Sequence, residues 1–346
     1  MNEMNEAMPL VSVIIPVYNR KGMSAEAINC ALDQDYSNIE IIVGDNCSTD
    51  GTFEYLKNEF SGNEKVKLFQ NEKNLGPVLN WIECLKRCNG KYIKILWSDD
   101  LMDESYIEKC VQVMESEPSV SFVYSSVVFF EKKEELKQNP ADSKQITRYR
   151  FNKTGVYEGQ KFIVNSYIRS YAMPVSPGCA MFRKEKVVIE TDIENHIGYE
   201  HKKTGAGTDM FIFFKALENG EKFAFIDEPL TFFREHEGSI SCRDEKIFYG
   251  YWSSKITFLE NHKEYKRLGK YLNSDIVAVS FQNDFFNRKA IKVLLDRFYC
   301  SSKYTYSVFN VIWWGILREI WMRKEYRIQG GNSEVFSSWR NRFLGK

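Results

Sequence analysis

The residues best suited to chemistry in this chain are carboxylates at the ends of apolar runs. Asp99 and Asp100 stand side by side just after Tyr92 to Leu96. Adjacent carboxylates repel unless a cation or hydrogen bonds offset their charge, and hard oxygen ligands of this kind suit Mg²⁺ or Mn²⁺ bridging a diphosphate. The competing reading is a capping pair for the next helix. Asp209 opens an apolar helix after Gly205-Ala206-Gly207-Thr208, either as a chemical group or as an acid favoured by the helix macrodipole. Asp45 follows Glu40 to Gly44; a carboxylate at the inner end of a buried strand needs partners, which a base or ribose would supply. Tyr18 follows the run Leu10 to Val17 and is placed either to pack or to stack on a nucleobase. Ser48 to Asp50 read as readily as a turn and helix cap. His196, His201 and His262 have no supporting context and read as structural or exposed.

These groups need a frame that brings strand ends together. Leu10 to Val17 and Glu40 to Gly44 are β-branched runs with a helical stretch, Ala25 to Leu32, between them, which makes a βαβ unit. The alternation continues with helices expected at Thr52 to Phe60, Val78 to Cys88 and Glu104 to Glu117, and strands at Val66 to Phe69, Tyr92 to Leu96 and Phe122 to Ser125. Such alternation implies an α/β fold with a mostly parallel, twisted sheet covered on both faces. In open sheets of this kind ligands sit at the carboxyl ends of the strands, where all the candidate groups above fall.

The mixed-charge stretch Glu131 to Lys144 reads as a solvated loop. A helix at Gly159 to Ser170, a strand at Gly178 to Phe182, a helix at Met210 to Leu217 and a strand at Lys222 to Ile226 follow. From Glu245 the chain reads as helices rich in aromatics. The expected organisation is a tail over 1–9, a domain over 10–243 with halves at about 10–125 and 126–243, and a C-terminal helical region over 244–346.

Composition excludes several classes. With 346 residues, 43% hydrophobic and 27% charged, the chain is neither disordered nor a multi-pass membrane protein. Lysine plus arginine equals aspartate plus glutamate, 47 each, so no net field attracts nucleic acid. Eight cysteines without CxxC spacing read as buried thiols in a reducing compartment, and Met1 to Pro9 lacks a signal-peptide core, so a cytoplasmic location is expected. Aromatics, at 15%, are the outlier. No GxGxxG follows the first strand and there is no P-loop, which argues against a dehydrogenase or an NTPase.

Taken in order, VSVIIPVYNR, IEIIVGDNCSTDGT, NEKNLGPVLNW and GKYIKILWSDD resemble the nucleotide-binding half of family 2 glycosyltransferases with the GT-A fold. SPGCAMFRKE, GTDMFIFFKAL and FIDEPLTFFREHEGSIS resemble the acceptor half, so the likeness covers Leu10 to Ser241. The resemblance implies that Pro16, Tyr18 and Asn19 line a nucleobase pocket, that Asp45 accepts from the base, and that Asn74, Gly76 and Asn80 lie near the nucleotide sugar. It implies that Asp99 contacts ribose or metal and that Asp100, last in a DxD-like motif, is the main ligand of a Mn²⁺ or Mg²⁺ ion. His236 would join that metal, Arg234 would meet the diphosphate, and Asp209 would be the catalytic base. Two departures stand out: Ser98 brings no third acid to the motif, and Thr208 occupies a position where the family often has Glu.

The implied activity is an inverting, metal-dependent hexosyltransferase that moves a sugar from a nucleotide-diphosphate donor, expected to be a UDP-sugar, to a saccharide acceptor in bacterial surface-polysaccharide assembly. The alternative is a non-catalytic sugar-nucleotide or glycan-binding module. Near the C-terminus, Trp313, Trp314 and Trp321 neighbour basic residues, and Lys303 to Lys346 holds eight basic residues against three acidic. That pattern suits either an interfacial helix on an anionic bilayer, with a lipid-linked acceptor at the inner face of the plasma membrane, or a core or homo-oligomer helix.

Overall fold

The computed structural model describes residues 8–137, 147–149, 151, 153–168, 173–193, 199–219, 221–239, 247–269, 271–272, 276 and 320. The N-terminal half follows the expected alternation: β1 (Val11–Val17), α1 (Lys21–Leu32), β2 (Ile39–Asp45), α2 (Thr52–Phe60), β3 (Val66–Gln70), α3 (Pro77–Leu85) and β4 (Tyr92–Ile95). Then come β5 (Leu101–Met102), α4 (Tyr106–Ser116), β6 (Val120–Phe130), β7 (Thr147–Arg148), β8 (Gly155–Glu158), α5 (Gly159–Ile168), β9 (Ala180–Arg183), α6 (His201–Thr204), α7 (Thr208–Ala216) and β10 (Lys222–Arg234). A further helix spans Ile247–Asn261.

Ten strands form one sheet, in the order β3-β2-β1-β4-β9-β6-β10-β5, with β7 on β6 and β8 on β10. The first four strands are parallel, in register Val11 with Ile39 and with Tyr92. The expected parallel order ends there. β9 inserts antiparallel between β4 and β6, although it follows β4 by more than 80 residues. Local alternation carries no trace of such an insertion, because the pairing is made by distant chain. β6 and β10 also outrun their expected lengths: β10 continues through a bulge at Pro229, where the ladder shifts register and resumes.

Two cores cover the two faces of the sheet. One is aliphatic, with Val13, Ile15, Ile28, Ile41 and Val43. The other is aromatic: Phe122 lies 5.1–5.8 Å, ring centre to ring centre, from Phe162, Phe182, Phe213 and Phe223. Many of the described aromatics are thus core. Trp252, Phe258 and Leu259 of the helix Ile247–Asn261 join this same core, so the first helix past position 244 packs as part of the sheet domain. Residues 131–137 are the described part of the charged stretch; they include a 3-10 turn, Lys133–Lys137, and much of the segment is exposed. All six described cysteines are free thiols, and four are buried. Among the described residues no helix is long and apolar enough to cross a membrane. His196 and the Trp313 to Arg327 segment, Ile320 apart, lie outside the described residues.

One buried carboxylate ties the amino ends of the parallel strands together. Glu40 accepts from Ser12 Oγ on β1 (2.6 Å), from Lys67 Nζ on β3 (2.6 Å) and from Asn89 N ahead of β4 (2.5 Å). Burial pushes this carboxyl up, but those donors win and hold it at about 2 against an ordinary 4.5. A depressed carboxylate stabilises the fold above its unfolded value and loses that contribution as pH falls toward its folded one. Glu40→Gln should therefore cost about 1–3 kcal/mol at neutral pH. In thermal melts the gap to wild type should narrow as pH drops from about 4.5 toward about 2.

Candidate active site

β1, β2 and β4 end on one side of the sheet, and the loops that follow them make a crevice there. Pro16 is buried in β1, while Tyr18, just beyond it, is 43% exposed, so its ring is not spent on packing. Asn19 holds a left-handed backbone (φ 50), which a short polar side chain tolerates. Its backbone N donates to Ser48 Oγ (2.9 Å), and its Oδ1 accepts from Thr49 N (2.8 Å). Asp45 is fully buried and accepts from Ser48 N (2.9 Å), Ser48 Oγ (2.5 Å) and Gln70 Nε2 (3.0 Å). Its carboxylate therefore organises the loop from inside. Asp50 accepts from Thr52 N at 3.0 Å, a turn bond at the start of α2, whose N-cap is Gly51 and carries no side-chain cap.

An asparagine network holds the next loop. Asn46 Nδ2 donates to Asn74 Oδ1 (2.9 Å), and Asn46 Oδ1 accepts from Leu75 N (2.9 Å). Asn71 Nδ2 donates to Asn80 Oδ1 (2.9 Å), and Asn80 Nδ2 donates to the Gly44 carbonyl (2.8 Å). Asn74 is exposed, but Asn80 is 2% exposed and acts on the loop from behind. Gly76 caps α3 at φ 81, a backbone that favours glycine.

The acid pair sits in a tight turn in which Asp100 N donates to the Trp97 carbonyl (3.0 Å). Both acids are more than nine-tenths buried. Burial raises the Asp99 carboxyl, but a hydrogen bond from His236 Nε2 (2.9 Å) and the Arg20 guanidinium paired with it bring it below its ordinary value. Asp100 moves the other way: burial first, and Asp99 beside it, push it well above the usual range, and Arg234 N (2.9 Å) only partly offsets them. The turn is short of positive charge.

Tertiary pairing delivers the remaining groups. β5 begins at the residue after Asp100 and pairs antiparallel with β10, Leu101 opposite Phe232 and Met102 opposite Thr231. Continuing that ladder brings Arg234 to the acid turn. Its side chain, expected at the diphosphate, is held at the turn: Nε donates to the Asp99 carbonyl (3.0 Å), the guanidinium pairs with Glu26 (2.5 Å) and it rests over the Phe130 ring. Arg20 is the more open cation, its side chain 22% exposed beside Asp99. His236 Nδ1 accepts from Gly238 N (3.1 Å), which leaves the ring proton on Nε2, facing Asp99.

Among the described residues no group of three or more His, Cys, Asp or Glu already converges in ligand geometry. The donor set nevertheless suits a hard divalent ion: two carboxylates, one short of positive charge, and an imidazole whose Nε2 proton occupies a position that a cation can take.

Asp209 stands in the first turn of α7, whose N-cap, Gly207, has φ 91. Its Oδ1 accepts from Gly207 N (2.8 Å) and Met210 N (2.7 Å), and the Tyr251 hydroxyl bonds to the carboxyl. Burial dominates these bonds and pushes the carboxyl up to about 7, a value matched to proton transfer near neutrality. The helix-start reading thus holds at this residue. Two tryptophans neighbour these segments in sequence or in contact: Trp97 stands two residues before Asp99, and Trp81 packs against Gly205, four residues before Asp209. Trp81 and Trp97 are 4.9 Å apart, Trp97 Nε1 donates to Ser176 Oγ (2.8 Å), and a Cβ at Gly205 would come within 2.3 Å of Trp81.

Sequence reasoning did not single out Arg20, Glu26, Asn46, Asn71 or Tyr251 as site residues. Arg20, Asn46 and Asn71 carried a signal, as polar groups just after strands, whereas Glu26 lies within α1. Tyr251 carried none, since only packing of its helix brings it to Asp209.

A model of Glycosyl transferase family 2 matches residues 12–188, just over half of the chain. Among curated relatives, TuaG of Bacillus subtilis, named for teichuronic acid biosynthesis, is 34% identical over 117 residues, 34% of this chain and 46% of TuaG. Chondroitin synthase of Escherichia coli is 30% identical over 120 residues, 34% of this chain and 17% of that protein. The chain thus spans less than half the length of these relatives. Among solved structures, S. aureus TarS in complex with UDP-GlcNAc matches with a TM-score of 0.57 at 18% identity, covering 81% of this chain and 74% of that one. The mannosyltransferase PcManGT of Pyrobaculum calidifontis, in complex with GDP-Man and Mn²⁺, matches with a TM-score of 0.53 at 15% identity, covering 98% and 86%. At these identities the likeness establishes the fold, which is that of the GT-A glycosyltransferases.

The asparagine network predicts unequal effects of like substitutions. Asn80→Ala removes the side-chain donor to the buried Gly44 carbonyl and one of two acceptors of the Asn71 amide, which keeps Asn46, and should cost about 1–3 kcal/mol in denaturant unfolding. Asn74→Ala, at an exposed position, should cost less than about 1 kcal/mol.

Proposed function

The chain belongs to glycosyl transferase family 2, and from that premise we propose that it transfers a sugar from a nucleotide-diphosphate donor, a UDP-sugar, to a saccharide acceptor with inversion at the anomeric carbon. The observation that carries this reading is the buried Asp99–Asp100 turn at the carboxyl end of β4, in a domain whose α7 opens with Asp209, a carboxyl pushed up to about 7 by burial. An acceptor hydroxyl is a weak nucleophile. Asp209 takes its proton as the oxygen bonds to the anomeric carbon, and the bond from that carbon to the diphosphate oxygen breaks in the same displacement. One base and one displacement invert the centre.

On the donor side, the Tyr18 ring offers a face to the base, and the loop built on Asp45, Asn19 and Ser48 surrounds it. The exposed Asn74 and the backbone at Gly76 meet the nucleotide sugar. Asp99 faces the ribose or the ion, and Asp100 with His236 would hold Mn²⁺ or Mg²⁺. Such an ion, when bound, neutralises charge on the departing diphosphate as a Lewis acid. Arg234 acts behind that site by fixing Asp100, and Arg20 is the cation placed to face the diphosphate once its pair with Asp99 opens. TuaG and chondroitin synthase support a role in surface-polysaccharide synthesis. A cytoplasmic location with a lipid-linked acceptor at the inner membrane face would suit the basic, tryptophan-bearing C-terminal stretch, as would self-association there.

Calorimetric titration with UDP, with and without Mn²⁺, followed by a screen of UDP-sugars for release of free UDP, tests the reading. Mn²⁺-dependent binding lost in Asp100→Ala is the expected result. No binding of any nucleotide would sink it in favour of a glycan-binding module. Asp209→Asn should keep nucleotide affinity while lowering kcat by about 10²–10⁴. Because the base must be ionised, kcat/KM should rise with pH to a plateau along a limb centred near 7. A wild-type profile flat from pH 5 to 9 would exclude Asp209 as the base.

A further inference from the structure

Lys94 is the one fully buried lysine among the described residues. It lies on β4, whose neighbours Ile93 and Ile95 are equally buried but apolar. No carboxylate forms an ion pair with it among the described residues, so its ammonium is not there as half of a salt bridge. Burial alone pulls it down to about 8, with Asp100 among the groups that pull back. A charge in that position costs several kcal/mol relative to an aliphatic side chain, and an obligation of that size calls for a specific partner.

The partner is a turn from the other half of the domain. Lys94 Nζ donates to the Gly178 carbonyl, and its ammonium lies 4.3 Å from the centre of the Tyr106 ring. Tyr106 reaches the same turn, its hydroxyl donating to the Cys179 carbonyl at 3.1 Å. Trp97, three residues after Lys94, holds the turn's other end through Ser176 Oγ, and a Cβ at Gly178 would fall 2.8 Å from the Trp97 indole nitrogen. β9 runs antiparallel to β4 with Met181 opposite Lys94, so the turn that precedes β9 lies at the carboxyl end of β4, beside the acid pair.

We propose that Lys94 is a positioning residue for the transfer reaction: its buried ammonium, by gripping the Gly178 carbonyl, locks the acceptor-half turn Ser176–Cys179 against Trp97 and the Asp99–Asp100 turn. The inference rests on the transferase reading above. Its chemistry is mechanical registration of two halves. It acts on the reacting geometry, where displacements of about 1 Å can cost on the order of 10²-fold, and leaves the base-binding loops alone.

The test compares Lys94→Met, Lys94→Gln and Tyr106→Phe with wild type in the full chain. Lys94→Met removes both charge and donor at nearly equal volume. It should lower kcat at least 10-fold, leave the UDP dissociation constant within about 3-fold, and leave the melting temperature unchanged or higher, because a buried charge is gone. Lys94→Gln, which keeps a donor, should recover part of kcat. Tyr106→Phe should give a smaller kcat loss that is not additive with Lys94→Met, since both ties act on one turn. If Lys94→Met fails to fold, the other two variants carry the comparison. Activity of Lys94→Met within 2-fold of wild type, a kcat loss matched by a lost folded fraction, or no recovery with Gln would each overturn the inference alone. A wild-type chain that turns over no nucleotide sugar and binds no nucleotide would overturn it together with the transferase reading.

Discussion

The two-residue antiparallel contact of β5 with β10 is the constraint on which the crevice depends. Without it the acid pair would be a turn at the end of one strand, with two buried carboxylates and little to hold them. With it, the end of a strand more than a hundred residues later is laid across that turn, and Arg234 N reaches Asp100 while His236 reaches Asp99. The bulge at Pro229 makes this possible, since β10 must pair with β6 along one edge and still bend to meet β5 on the other.

Charge is distributed unevenly around that contact. Asp99 has Arg20 and His236 in contact, whereas Asp100 has a backbone donor at hydrogen-bond distance, with Lys94 and Arg20 acting from further off. Buried carboxylates this poorly matched cost stability. The surroundings keep them in place regardless: Arg234 is pinned by Glu26 and Phe130, and the loops after β1 and β2 are closed by Asp45, Ser48 and the asparagines. The rigidity of the turn comes from these neighbours.

The surroundings of Asp209 are built differently. Asp209 is set by a helix start, by two glycines that let α7 approach Trp81 and the helix Ile247–Asn261, and by a tyrosine from that helix. Desolvation, not a neighbouring charge, leads the shift of its carboxyl, so the packing of aromatic side chains around it sets its acid strength. Many of the described aromatics therefore serve as core, and next to that core they also insulate one carboxylate.

The sequence by itself determined the α/β alternation of the first hundred residues, the polar strand ends and the identity of the acids. Hydrophobic periodicity and strand-end chemistry are local, and parallel strands joined by helices leave little freedom in where those ends meet. Only tertiary structure decided the antiparallel insertion of β9, the continuation of β10 past Pro229, the employment of Arg234 on Glu26 instead of on an open face, and the arrival of Tyr251 at Asp209. Each of these joins residues tens to hundreds of positions apart, and their pairing depends on complementary volume and charge across the sheet, which no window along the chain contains. Lys94 shows the same division: its type is plain in the sequence, but that it lies fully buried against a carbonyl of the opposite half follows from the fold alone.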